Sequence, residues 1–92
     1  MIQVVIPTIF AVEESTDFRQ KMNEYLMSGE KDFSIDFSNC TFIDSTGLGV
    51  LVTVYKKCME RGGELKIHSI VNPQVMRVVK LTRLDKVFKI CD

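Results

Sequence analysis

A strand-like run leading into a strong amphipathic helix constrains this fold most. Phe33, Ile35 and Phe37 alternate with Ser34, Asp36 and Ser38 across Asp32–Ser38. That is the period-two pattern of a strand with one buried face. After the junction Asp44-Ser-Thr-Gly-Leu-Gly49, apolar residues recur at helical spacing: Leu48, Leu51, Val52, Tyr55, Cys58 and Met59. Lys56, Lys57, Glu60 and Arg61 lie mostly off this stripe, and Gly62-Gly63 closes the helix. The junction therefore reads as half of a strand–helix–strand crossover.

The rest of the chain repeats the alternation. Ile2-Gln-Val-Val-Ile6 is β-branched and stopped by Pro7, which predicts a strand. Helix signals begin near Ser15, run through Phe18, Met22, Tyr25 and Leu26, and stop at Gly29. Leu65 and Ile67, extending toward Ser69-Ile70, form another strand. Asn72 caps a helix with Pro73 at its first position, and Val75, Val78, Val79 and Thr82 define its inner face. Val87–Ile90 is a short final strand. The expected fold is α/β: a small mixed β-sheet with helices packed mainly on one face, since so short a chain can hardly cover both.

Ninety-two residues hold one domain, spanning 1–92, with no room for a second core. Twelve basic and twelve acidic residues cancel, so no field favours nucleic acid or a membrane surface. No apolar run is long enough to span a bilayer, and the N-terminus lacks the pattern of a signal peptide. Cys40, Cys58 and Cys91 are odd in number, widely spaced and accompanied only by His68. They read as small apolar residues in a reducing cytoplasm, not as a metal site or disulfide framework. No cofactor is expected.

Catalysis finds little support. Asp44-Ser-Thr-Gly47 faintly resembles the Asp-Ser/Thr-Gly loop of homodimeric aspartic proteases, but one extra residue separates its Asp and Gly. Those proteases are also largely β-structured, whereas this run opens a helix. Gly-x-Ser-x-Gly is absent, and the single histidine, His68, lies in a strand beside Ile67. No Gly-rich phosphate loop with Lys is present. The chain reads as a non-enzyme.

A binding and switching role fits better. Ser45 stands where unpaired N–H groups and the positive end of the helix dipole favour negative charge. A phosphate there would add roughly −1.5 to −2 charges. Asp and Ser are also the preferred N-caps of ordinary helices, so a plain cap stands beside the switch. Phe42-Ile-Asp-Ser-Thr-Gly-Leu-Gly-Val50, Tyr55-Lys-Lys and Arg61-Gly-Gly-Glu-Leu65 occur in order. Asn72-Pro73 and Leu81-Thr-Arg-Leu-Asp-Lys-Val-Phe88 follow. Together these blocks closely resemble the STAS family of bacterial anti-sigma-factor antagonists, over about residues 33–90.

The resemblance implies partner switching. Ser45 is the phosphorylated position. Its unmodified form would bind an anti-sigma factor that is also a serine kinase, and a separate serine phosphatase would restore it. Asp44 would orient the loop, Thr46 would cap or flank, and Gly47 and Gly49 would let the partner approach; Leu48 completes the partner-binding run Asp44–Gly49. The chain departs from the family in three places. Only one strand precedes the first helix where members usually have two, leaving a sheet edge exposed or covered by a partner. Ala11 stands at the acidic position of a Gly-x-Leu-Asp-like turn, within Thr8-Ile-Phe-Ala11. Arg83 replaces a customary glycine, so its backbone must avoid positive φ or bear strain. The alternative reading is a STAS subunit of another assembly, such as a lipid-transport ATPase or a stressosome-like scaffold.

Overall fold

Four strands pair side by side in the order β1-β3-β5-β6: β1 (Ile2–Val5), β3 (Asp32–Asp36), β5 (Glu64–His68) and β6 (Lys89–Cys91). The computed structural model describes residues 1–91, save the side chains of Lys89 and Cys91. Helices α1 (Val12–Met27), α2 (Ser45–Glu60) and α3 (Pro73–Leu81) make the connections, and a 3-10 turn covers Leu84–Lys86. Each strand of this sheet after β1 is reached through a helical crossover, the connection that brings a chain back parallel. The expected α/β architecture stands, with one correction: every described pairing is parallel, so the sheet is not mixed.

Register explains the single helical layer. Ile2 pairs with Phe33 and Val4 with Ile35; those pair in turn with Leu65 and Ile67, and Ile67 pairs with Ile90. This face is apolar and closed by the helices, with Phe33, Ile35, Leu65 and Ile67 fully buried. Gln3, Val5, Asp32, Ser34, Asp36, Glu64, Lys66 and His68 alternate onto the opposite face, where Ser34 is buried and the others are exposed or half-buried. His68 lies there as a sheet-face residue, its Nδ1 2.9 Å from Ser69 Oγ. A layer of helices on that side would find mostly polar partners.

A second pair of strands lies outside this sheet. Ile9–Phe10 (β2) runs parallel to Phe42–Ile43 (β4), with Ile9 opposite Phe42 and Phe10 opposite Ile43. Two strands, β1 and β2, thus precede α1 where the sequence suggested only one, and β2 lies within Thr8–Ala11, the stretch expected as a turn. Two residues of strand are too few to leave a periodic signature.

The first helix begins at Val12, three residues before the expected start near Ser15. Glu14 accounts for this: its Oε1 accepts the Ala11 N–H at 3.2 Å, closing the start of α1. Ser15 is not a cap. It is fully buried one turn in, and its hydroxyl donates to the Val12 carbonyl. Phe18, Met22 and Leu26 face the core as their spacing requires.

The second helix turns a slightly different face inward than its sequence suggests. Gly47, Leu48, Leu51, Val54 and Cys58 are buried, Val52 and Tyr55 are half-buried, and Met59 is exposed. Valines at 50, 52 and 54 surround this helix, so periodicity alone misplaces the centre of its stripe. Its polar side is also less free than expected. Lys57 is half-buried and donates to Asn23 Oδ1 at 3.0 Å, and Arg61 Nη1 donates to the Leu26 carbonyl at 2.7 Å. Lys57 of α2 and Arg61, the residue that caps its C-terminus, thus tie down α1, the second capping the last turn of α1.

Asn72 Oδ1 accepts from the Gln74 and Val75 N–H groups, and Pro73 follows, so α3 begins as expected. Val75 and Val79 are buried, Val78 is half-buried and Thr82 is exposed as the C-cap. Cys40 and Cys58 are buried free thiols whose ionisation burial opposes. The Cys91 side chain lies outside the described residues.

Arg83 sits in the left-handed region, with φ 61° and ψ 20°. The position that would suit glycine therefore keeps its conformation and bears the strain of a Cβ. Arg83→Gly is expected to stabilise the fold by about 0.5–1 kcal/mol, the strain relieved less the added freedom of the unfolded chain. Urea denaturation should show a higher midpoint at unchanged slope. A lower midpoint would mean that the Arg83 side chain contributes more than its backbone costs.

Candidate functional site

Two short strands deliver two helix starts to one place. In the parallel β2–β4 pair, Phe10 lies opposite Ile43; α1 begins two residues beyond Phe10 and α2 two residues beyond Ile43. The Asp44 N–H reaches the Phe10 carbonyl at 3.4 Å, which locks the junctions together. Both helices therefore present their N-terminal, partially positive ends on the same side of the molecule.

Asp44 is the N-cap of α2, in extended conformation, and its Oδ1 accepts the Gly47 N–H at 3.0 Å. Its carbonyl accepts the Leu48 N–H at 3.1 Å. Ser45 and Thr46 precede the first intrahelical bond, and both are exposed. The Ser45 side chain thus stands in solvent at the first turn of a 16-residue helix, in a field that favours an anion. Asp44 performs the capping, so Ser45 is not the cap.

The rest of the run divides between inside and outside. Gly47 is buried: a Cβ there would lie 2.5 Å from the Phe10 carbonyl oxygen and 2.7 Å from the Phe10 ring. Its missing side chain lets β2 come close, an approach from within the chain and not from a partner. Leu48 is buried as part of the core at 7% exposure. Gly49 is exposed, and a Cβ there would meet nothing within 4 Å. The surface part of the motif is therefore Asp44, Ser45, Thr46 and Gly49, with Gly47 and Leu48 seating it on the core.

Sequence reasoning missed an apolar pair beside this surface. Ile9 and Phe42 are register partners in β2–β4, and each keeps about half of its surface in water, 51% and 52%. Phe42 belonged to the motif run and Ile9 to the stretch expected as a turn. Their pairing is visible only in three dimensions. An exposed apolar pair flanking a polar helix start has the composition of an interface: hydrophobic contact beside a polar, adjustable rim.

Asp36 ends β3 just before the loop toward the motif. Its carboxyl is held below the usual range by the hydrogen bonds of the Ser38 backbone and hydroxyl, with a smaller contribution from His68. The Ser38 N–H lies 2.8 Å from Asp36 Oδ1, fixing the turn that leaves the sheet. The described hydrogen-bond partner of His68 is Ser69. No group of three or more His, Cys, Asp or Glu among the described residues could hold a metal. No helix among them is long and apolar enough to cross a membrane.

With the geometry in place, comparison with known proteins identifies the family. The STAS domain signature matches residues 5–92, and the chain belongs to that family. An anti-sigma F factor antagonist of Paenibacillus polymyxa is 33% identical over 80% of this chain and 63% of its own length. This chain thus spans under two thirds of that relative. An anti-sigma-B factor antagonist of Bacillus subtilis is 30% identical over 97% of this chain and 80% of its own. The crystal structure of TM1081 from Thermotoga maritima is 32% identical and superposes with a TM-score of 0.85, covering 98% of this chain and 79% of that one.

Proposed function

We propose that this chain is an anti-sigma-factor antagonist controlled by phosphorylation of Ser45. One observation carries the reading: Ser45 is exposed at the first turn of α2, capped by Asp44 and beside the exposed pair Ile9 and Phe42. Relatives at 30% identity or more that bear the name of anti-sigma factor antagonists support it. The unmodified face docks onto an anti-sigma factor with serine kinase activity, and a sigma factor is released. Phosphate on Ser45 opposes docking through its charge and the loss of its hydration. A serine phosphatase resets the switch. The chain itself performs no catalysis, binds no nucleic acid and works in the cytoplasm.

Ala11 favours the alternative, a STAS subunit of a lipid-transport ATPase or a stressosome-like scaffold. It is the N-cap of α1, next to the site, and brings no side-chain hydrogen bond or charge. One experiment separates the readings. The protein is used to capture partners from its native cell, with and without phosphatase treatment, and its phosphate is mapped by peptide mass spectrometry. Capture of a small kinase-like ATPase, together with one phosphate at Ser45, is the expected result. Transporter subunits in its place, or phosphate confined to Thr46, would overturn it.

A further inference from the structure

The outer edge of β1 carries a second candidate surface. Ile6 donates to the Asp36 carbonyl at 2.9 Å, so the even-numbered residues of this strand turn their backbone groups toward β3. Backbone direction alternates along a strand. The N–H and C=O groups of Gln3 and Val5 therefore point outward, where the sheet order places no further strand among the described residues. Pro7 is the next residue in that phase and has no N–H to offer, which ends the edge. No charged residue guards this strand, the usual device against an open edge.

Beside the edge, on the helical side, runs a groove of about 280 Å³. Val4, Pro7 and Phe18 give it an apolar floor, and Glu14, Asp17 and Lys21 of α1 stand along its wall. Two carboxylates against one ammonium leave the wall acidic. Glu14 is partly engaged by the Ala11 N–H, while Asp17 and Lys21 are exposed.

We infer that the β1 edge takes an extended, basic segment of a partner protein by strand addition. Main-chain bonds form to Gln3 and Val5, an apolar side chain enters the groove, and a Lys or Arg two positions away meets Asp17 and Glu14. Charge complementarity selects this occupant over a second copy of the chain, whose own β1 is uncharged. Strand addition of this kind gains affinity from the backbone and specificity from alternate side chains. None of the residues lining the groove belongs to the Asp44–Gly49 run.

Titration of ¹⁵N-labelled protein with an acetylated, amidated Thr-Val-Thr-Arg-Thr-Val peptide, whose Val and Arg side chains share one strand face, tests the inference. The Gln3 and Val5 amides should shift saturably, with the Ser45 amide unmoved. Val5→Pro removes one outward N–H without touching a bond to β3, and Val5 is 55% exposed, so its thermal melting should match the parent. Affinity should fall about fivefold, the loss of one net hydrogen bond. Asp17→Lys should weaken binding about threefold, as expected for a rim charge. Three results would overturn the inference: no shift at Gln3 and Val5 at millimolar peptide, equal binding of the Thr-Val-Thr-Glu-Thr-Val peptide, or a protein dimer that Val5→Pro dissociates.

Discussion

Leu51→Ala is expected to cost about 2–5 kcal/mol of folding stability. Leu51 is 1% exposed and lies in the cluster that includes Phe33, Ile35, Val54 and Cys58. Truncation removes three carbons from a close-packed interior, and rigid β3 and β5 cannot collapse into the space. Urea denaturation measures the loss as a lower midpoint at unchanged slope. Lys57→Ala provides the contrast on the same helix. Its bond to Asn23 is half-exposed, and its loss should cost about 0.5–1.5 kcal/mol. Equal costs would mean that α2 is held mainly by its polar link to α1 and not by the sheet.

The contrast shows how much of this fold lies open in the sequence. Strong periodicity located β3 and all three helices, because alternation across Phe33, Ile35 and Phe37 and stripes such as Phe18, Met22, Leu26 admit few other readings. The same periodicity failed where apolar residues were plentiful. With valines at 50, 52 and 54, the pattern could not choose between Val54 and Met59 as core, and only packing decides. It also failed where elements were short. Ile9–Phe10 and Phe42–Ile43 are two residues each, and pairing across 33 positions gives them meaning. The Asp44-Ser45 pair was legible as a helix start because the N-terminal turn has local rules, but which of the two caps it was not: both are good N-cap residues, and only the Asp44 Oδ1 bond to the Gly47 N–H decides. Gly47 was legible as important but not in its role: Phe10, which excludes a Cβ there, is remote in sequence. At Arg83 the resemblance left two outcomes open, a backbone that avoids positive φ or one that bears strain, and its φ of 61° selects the second.

The larger functional effect is expected from charge at Ser45. Ser45→Asp should weaken binding to the anti-sigma partner by about 2–5 kcal/mol, whereas Ser45→Ala should largely preserve it. The carboxylate would be tolerated in the free protein, since the start of α2 favours an anion and Ser45 is exposed. Its cost arises on docking, when water is removed from a second carboxylate beside Asp44, whose own is committed to Gly47. Both variants should therefore melt like the parent, which separates a binding defect from a folding one. Titration calorimetry against the captured partner gives the affinities. Ile9→Ser supplies an independent check, because it removes apolar surface that is 51% exposed and leaves the phosphorylatable group intact. Weaker binding by both Ser45→Asp and Ile9→Ser places the partner across the two helix starts. Equal affinity of Ser45→Asp and Ser45→Ala would reduce Ser45 to an ordinary first-turn residue, and the switch would have to lie elsewhere on the chain.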